Sequence, residues 1–501
     1  MTPDEMRRAL LEGLTLDQRA AVTSTARHLI VVAGAGSGKT EVMARRIAWW
    51  IGMEGVSKDE VVAFTFTEKA AEEMKFRIRK WVAAITPAGG DATLGRMYVG
   101  TIHGFCLQML RDLEPGVYGV FDILDEAGRL ALVQKWFHGV LGLAGLQSAL
   151  GAGLFDTIEQ FLKGYDLLHE YCLFDAEGPG TPRPNIGPGE QDWIREWRLR
   201  TDVGEDQASS AFGVSAARYH GALHARRLVD CSTSQSELVR LLQTKGERLT
   251  ELRSRYTHVV VDEFQDINPV QDRLVRLLAD NEGVLTAVGD HRQAIYGWRG
   301  GRVEIMADWY RQLEAAPDGD VQELHDNFRS TDRIIRLANA WAQTISPLGT
   351  LHTLGMTKGE SEEGARRVDY HPSHVAFRRF SDRQHEADWI AETILSLVNA
   401  EAHQGAKHDV DPTQDRGIGY PDIAILLRNA RDARLYLEAL DANGIPAVVR
   451  AGPDLFQRPE VLLLVGALAV AAGVDQFFPG RGQTMASIAG DVLQCPPNSE
   501  A

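Results

Sequence analysis

Cysteine is scarce. The 501-residue chain has four, Cys106, Cys172, Cys231 and Cys495, far apart and without a C-x-x-C pair. That spacing supports neither a thiolate zinc site nor an iron–sulfur cluster. Buried free thiols in a reducing, cytoplasmic setting fit it instead. Long apolar runs are lacking too. The longest, residues 461–474, is shorter than the ~18 residues of a spanning helix, so a buried helix is predicted there and no membrane partner. The opening Met1-Thr2-Pro3-Asp4-Glu5 has no basic-then-apolar export pattern. Positive charge is short as well. A formal net charge of −16 excludes a coat of positive charge but leaves room for a local basic groove. No solenoid-type repeat is present. What remains is an ordinary globular balance, 44% hydrophobic and 24% charged. A chain of this length should fold as about two to four domains.

Helices are predicted over residues 3–12 and 17–24, the second after the capping-type Thr15. A short apolar strand, Leu29-Ile30-Val31-Val32, runs into the glycine loop Ala33-Gly34-Ala35-Gly36-Ser37-Gly38-Lys39-Thr40, and a helix follows. Strand, glycine loop and helix open a nucleotide-binding α/β domain. Further strands are predicted at 61–66, 97–101, 258–262 and 285–290, with a helix over 69–83. Residues 104–231 carry mostly helical patterns and a loose Gly/Pro stretch at 178–189. They are expected to form a helical insertion within a first lobe made of 1–103 and 232–320. A partial second lobe is expected over 321–473, with a helix around 331–344, a loop over 400–419 and a buried strand Ile423-Ala424-Ile425-Leu426-Leu427-Arg428. A truncated or irregular tail is expected over 474–501.

The loop at 33–40 follows the phosphate-binding pattern G-x-x-x-x-G-K-[ST], with Ala33 in place of the first glycine. Successive backbone N–H groups around Gly36 and Gly38 can surround phosphate oxygens, and the next helix points its positive end at them. Lys39 would neutralise the terminal phosphates of ATP and Thr40 would hold Mg²⁺. The acidic half of such a site is expected at a buried strand end. His258-Val259-Val260-Val261-Asp262-Glu263 provides it, with Asp262 on Mg²⁺ and Glu263 activating the attacking water. Alone, an apolar strand ending in two acids is a common solvated strand end. Paired with the Lys39 loop it becomes the second half of a metal–triphosphate site.

The acids continue as Phe264-Gln265-Asp266-Ile267-Asn268, and here the chain resembles the UvrD/PcrA/Rep-type helicases of superfamily 1. Other motifs of that family follow in order: Leu16-Asp17-Gln18, Phe64-Thr65-Phe66-Thr67-Glu68-Lys69-Ala70-Ala71, Gly100-Thr101-Ile102-His103-Gly104-Phe105, Val288-Gly289-Asp290-His291-Arg292-Gln293-Ala294-Ile295-Tyr296-Gly297-Trp298-Arg299, and Asp326-Asn327-Phe328-Arg329-Ser330. The resemblance implies an α/β fold of the P-loop NTPase type. It has a RecA-like parallel sheet, a helical insertion and a second, incomplete RecA-like lobe. It implies that Gln18 reads the adenine edge, Phe328 lies against the base, and Gln293 and Arg329 reach the γ-phosphate. Phe66, Thr101, His103, Tyr296 and Trp298 would line a track for single-stranded DNA, at a free strand or at a junction with duplex. Stacking on aromatic rings is sequence-tolerant, which suits a motor that accepts any sequence. Core packing is the competing role for each aromatic. Lys75, Arg77, Arg79 and Lys80 form a basic stretch that is either a solvated helix face or a phosphate contact.

The chain departs from the family at Glu41, where several relatives carry a basic residue. It also lacks the later motifs of the type H-S-A-K-G-L-E and A-L-T-R-A. The second of these brings another arginine to the γ-phosphate, a group whose loss commonly costs ~10³ or more in rate. Three arrangements fit: a shortened product, a split motor completed by a second protein chain, or a degenerate subunit. The expected function is ATP-dependent translocation or 3′-to-5′ unwinding of DNA. The alternatives are a nucleotide-gated DNA-binding subunit with little turnover and the motor part of a helicase–nuclease.

Overall fold

Six parallel strands carry the first part of the chain: β1 (His28–Ala33), β2 (Val61–Thr65), β3 (Tyr98–Thr101), β4 (His258–Val261), β5 (Val284–Gly289) and β6 (Gly319–Leu324). They form one sheet in the order β6-β1-β5-β4-β2-β3. The computed structural model describes residues 2–87, 90–171, 174–175, 183–184, 207–280, 282–297, 300–345, 355–359, 375–399, 418–428 and 432–449. Trp298, the stretch at 178–189 apart from 183–184, most of the loop at 400–419, the apolar run at 461–474 and the tail at 474–501 lie outside the described residues.

Alternate residues of each strand face opposite cores, so the strands are apolar on both sides and read as continuous runs. Ile30, Val32, Val62, Phe64, Val259 and Val261 belong to one core. Leu29, Val31, Ala33, Val61, Ala63 and Val260 belong to the other. The second core is closed by α1 (Leu16–Thr23), α2 (Lys39–Met53) and α3 (Glu68–Ile85). Arg46 of α2 is fully buried. Its guanidinium bonds Thr286 Oγ1 and the carbonyls of Ala21, Val22 and Ser24, which pins α2 to the sheet and to the end of α1. The first core is covered by α4 (Ile102–Leu113), α7 (Cys231–Thr244), α8 (Pro269–Ala279) and α9 (Val303–Ala315).

Between β3 and β4 the chain builds a separate helical core. Phe161 and Tyr165 of α5 (Leu154–Glu170) pack against Phe212 and Tyr219 of α6 (Gln207–His224). The chain falls into two compact units, Met1–Asp369 and Tyr370–Ala501. In the second unit α10 (Arg383–Asn399) and α11 (Ala433–Ala442) meet through Ala391, Ile394 and Leu440. Among the described residues, no helix is long and apolar enough to cross a membrane. Cys106 and Cys231 are free thiols.

Two expectations are corrected. The boundary placed between 320 and 321 falls inside β6, which pairs with β1 from His28↔Gly319 to Ala33↔Leu324, so this strand belongs to the first sheet. The buried strand expected at 423–428 has no ladder partner among the described residues, and Leu426 is 93% exposed. Only Ile423, Ile425 and Leu427 lean on the helices of the second unit, so the run is half-buried.

The insertion is tied to the sheet-covering helices by a buried ion cluster. Arg129 lies 2.7 Å from Asp166 and 3.2 Å from Asp230. Asp230 is fully buried and caps α7 by accepting from Thr233 N at 2.9 Å. Removing one partner strands the remaining charges, so Arg129→Ala should destabilise the protein by about 3–5 kcal/mol. Urea unfolding reads this directly; a loss under about 1 kcal/mol would show that the carboxylates do not need the guanidinium.

Candidate functional site

The loop after β1 can turn back on itself because Gly36 and Gly38 take left-handed backbone angles, φ 71° and 84°. A side chain at Gly36 would meet Asn327 and Arg329 at 2.8–3.1 Å, and one at Gly38 would meet Gln18 at 3.0 Å. The turn therefore ends at the first residue of α2, Lys39, with the helix amides opening onto the loop. Gln18 Nε2 donates to Ser37 O at 2.9 Å, while Gln18 Oε1 accepts from Thr15 N at 3.1 Å. These bonds give Gln18 a role in holding the loop, and the side chain is buried. Ala33 is also buried, so only its backbone faces the loop.

Lys39 Nζ lies 3.0 Å from Glu263 Oε2, which brings the glycine loop and the acidic strand end together across the sheet. Glu263 adopts φ 48°, ψ 45°, a left-handed conformation costly for any residue with a Cβ. Asp262 accepts from the Glu263 amide at 2.9 Å. Burial, then the adjacent Glu263 charge, pushes the Asp262 carboxyl up to about 7 from an ordinary 3.8, against the pull of Lys39. A half-buried acid crowded by a second acid is short of a cation. Thr40 is half-buried at the start of α2.

A line of side chains leads away from this pair. Gln265 Nε2 donates to Glu263 at 2.8 Å and to Asp266 at 3.2 Å, and Gln265 Oε1 accepts from Asp290 N at 2.9 Å. Gly289 is required there, because a Cβ would stand 2.6 Å from Gln265 Oε1. Asp290 accepts from Gln293 Nε2 at 2.9 Å and from Arg292 Nε at 2.9 Å. Burial would raise the Asp290 carboxyl, but the bonds and charge of Arg292, with help from Gln293, hold it below the ordinary value. Burial and the Glu263 charge raise the Asp266 carboxyl, while the nearby amides of Tyr296 and Ile295 and the Gln265 side chain pull it back down. The Tyr296 ring stacks on Phe66, centroids 4.5 Å apart at 29°.

The segment expected to carry Arg329 sits on the glycine loop. Asn327, only 2% exposed, donates to Ala35 O at 2.7 Å and accepts from the amides of Arg329 and Ser330 at 2.9 and 2.7 Å. Phe328 N donates to Gly36 O at 2.9 Å. The Phe328 ring packs over Gly359, where an added Cβ would come within 2.4 Å of it. Arg329 is exposed, and among the described residues its guanidinium has no ion-pair partner.

The structure thus gathers Lys39, Asp262, Glu263, Gln293 and Arg329 around linked segments, and joins them to Phe66 and Tyr296. His103 lines a narrow cleft with Phe66, Asp262 and Glu263. Thr101 is different: it is buried, caps α4 through Gly104 N at 3.3 Å and donates to Glu68 at 2.9 Å. Its hydroxyl is spent on the helix start and not on a surface track. The basic stretch is largely self-paired, with Lys75 on Glu72 at 2.7 Å and Arg77 on Glu73 at 2.8 Å. Glu41 joins the same surface, bonded to Arg45 at 2.8 Å and facing Arg77 at 3.4 Å. Gln265 and Asn327 were quoted within motifs, but nothing in the sequence said what they bond.

Two family models match the chain: the UvrD/REP helicase N-terminal domain over residues 14–314 and the UvrD-like helicase C-terminal domain over 322–474. DNA helicase II of Escherichia coli (strain K12) is 30% identical over 459 residues, covering 90% of this chain and 53% of that protein. The ATP-dependent DNA helicase UvrD1 of Mycobacterium leprae (strain TN) is 30% identical over 483 residues, 93% of this chain and 54% of that protein. The ATP-dependent DNA helicase PcrA of Staphylococcus aureus (strain Mu50) is 26% identical over 470 residues. The chain spans about half the length of the curated relatives it matches.

An acid whose pKa the fold raises contributes stability while protonated and loses that contribution as pH rises through the folded value. The protein without added nucleotide should therefore lose stability between pH 3.8 and about 7 on account of Asp262. Asp262→Asn removes the buried charge. It should melt above the parent at about pH 8 and with it at about pH 4. Equal melting of the two proteins at the higher pH would show that Asp262 ionises there at no cost.

Proposed function

The chain belongs to the UvrD/REP helicase family, and from that membership we propose that it is an ATP-driven motor that binds single-stranded DNA and moves along it 3′ to 5′. The observation that carries this reading is the bonded line from Lys39 through Glu263 and Gln265 to Asp266, with the Phe66–Tyr296 stack beside it and Phe66 in one cleft with Asp262 and Glu263. It joins a phosphate-type loop to an aromatic pair suited to unpaired bases.

The residues fit a triphosphate. Ser37 Oγ is buried with no hydrogen-bond partner, and the loop amides converge without Cβ atoms at Gly36 and Gly38. Lys39 and the amides of 36–40 would hold the terminal phosphates, while Gln18 keeps the loop in shape. They also fit a divalent cation, since burial and the Glu263 charge push the Asp262 carboxyl up to about 7 even beside Lys39, and a further positive charge would favour its ionised form. Thr40 and Asp262 would hold Mg²⁺, which when bound neutralises charge on the phosphate oxygens. Phosphate competes with Glu263 for the Lys39 ammonium. Once released, Glu263 can orient a water and take its proton. Gln293, steered by Asp290, and Arg329, presented by Asn327, would complete the contacts to the γ-phosphate. A second arginine to that phosphate would come from sequence outside 1–501 or from a partner chain.

ATP hydrolysis by the purified chain, with and without single-stranded DNA, tests the reading. Turnover stimulated by the strand is expected, and Lys39→Ala should lower it about 100-fold or more with little change in melting. Turnover indifferent to both Lys39 and DNA would sink the motor. Nucleotide-dependent DNA binding without turnover would favour the gated-subunit alternative. Tyr296→Ala should weaken single-strand binding by about 1–3 kcal/mol at fixed salt while sparing the DNA-free rate. Unchanged binding would remove the ring stack from the DNA track.

A further inference from the structure

The insertion holds a cluster of ligand-type side chains that the motor does not use. His220 and His224 stand one turn apart on α6, and Glu237 comes from α7. One donor atom from each lies within 4.8 Å of the others. His220 Nε2 is 3.5 Å from Glu237 Oε1, and His224 Nε2 closes on the same oxygen. The two imidazole centroids are 4.6 Å apart. On its far side, His220 Nδ1 is 3.1 Å from Tyr165 Oη. Glu237 is 3% exposed, and its second oxygen is buried without a hydrogen-bond partner. His224, 29% exposed, leaves a route to solvent, while the Phe121 and Tyr118 rings stand edge-on to it at 5.3 and 6.3 Å.

A carboxylate this deep needs a cation or a full set of donors. The histidines converge on one oxygen and the Tyr118 hydroxyl lies near the carboxylate, yet the second oxygen makes no hydrogen bond. No lysine or arginine ion pair to Glu237 exists among the described residues. The two Nε2 atoms and the carboxylate instead converge as lone-pair donors. Tyr165 stands where it can accept the Nδ1 proton of His220, the outer bond that orients a metal-bound imidazole. Two histidines and a glutamate are a nitrogen–oxygen set for a tetrahedral ion with one open position.

We propose that His220, His224 and Glu237 bind a divalent transition-metal ion of the zinc class, with water as the fourth ligand. Bonds of about 2.0–2.2 Å would draw the three donors inward around the ion. The ion straps α6 to α7. Gln235 of α7 accepts from Gln271 of α8 at 2.8 Å, so the strap joins the insertion to the helices beside the acidic strand end. Its role is structural and independent of the motor reading.

The full chain, stripped with chelator and titrated with Co²⁺, tests this. Expected are a single tight Co²⁺ equivalent with visible ligand-field absorption, its displacement by Zn²⁺, and a melting temperature raised by Zn²⁺. Tyr165→Phe should weaken binding by about 10- to 100-fold, and His224→Asn and Glu237→Gln by more. His224→Asn alters a partly exposed ring and guards against a Glu237 variant that fails to fold. Lys39→Ala should keep the spectrum unchanged, which separates the site from the phosphate loop. Absence of stoichiometric Co²⁺, or equal affinity in His224→Asn and the parent, overturns the proposal.

Discussion

The contact between Lys39 and Glu263, 3.0 Å, is the constraint on which the site depends. Lys39 follows β1 and Glu263 follows β4, and β5 lies between them in the sheet. Parallel strands all end on one edge, so the loops after β1, β4 and β5 meet there, and this is where open α/β sheets bind ligands. Had any of these strands run antiparallel, its loop would sit on the opposite edge. The lysine, the two acids and Asp290 would then have no common space. The buried Arg46, bonded to Thr286 of β5 and to the carbonyls ending α1, holds α2 and hence Lys39 at that edge.

Two features of this edge oppose stability. Glu263 is held at positive φ, and Asp262 is a half-buried acid beside another acid. Each costs free energy that a glycine or an amide would spare. Both place charge where a cation and a phosphate chain can relieve it. Strain and like-charge crowding gathered at one strand end mark a site built for a ligand and not for the empty fold.

The parts legible in the sequence are those whose chemistry is local. Glycines that allow a turn, a lysine at a helix start and two acids after an apolar run carry their meaning within a few residues. β6 was misassigned because Gly319-Asp320-Val321-Gln322-Glu323-Leu324 is a half-exposed edge strand with no apolar run to reveal it. Thr101 lies inside a recognisable motif, but its burial and its bond to Glu68 depend on how α3 packs. The basic stretch on α3 looked available until Glu41, Glu72 and Glu73 were placed beside it. The His220–His224 spacing is visible in the chain, but Glu237 joins it only through the packing of two helices. A search for metal ligands through cysteine spacing could not have found that site.

In the proposed motor, coupling between phosphate and DNA would need an element that both can bias, not only a path between them. Gln265 is placed to be that element. Its amide has one oxygen and one nitrogen, and all its bonds here are in use: Glu263 and Asp266 on the nitrogen, the Asp290 amide on the oxygen. Gly289 leaves it no room to slide toward β5. If Glu263 shifts when Lys39 changes partner, Gln265 must either follow or lose a buried bond, a penalty of about 1–3 kcal/mol. Following disturbs Asp266, whose carboxyl lies beside the amide of Tyr296, and the Tyr296 ring is half of the aromatic stack. The same logic applies on the other side of the loop. Asn327 grips Ala35 and the Arg329 amide at once, so the loop and the arginine segment move together or not at all. The glutamine and the asparagine thus turn neighbouring motifs into one mechanical unit, because each is buried, fully bonded and unable to satisfy one side without the other.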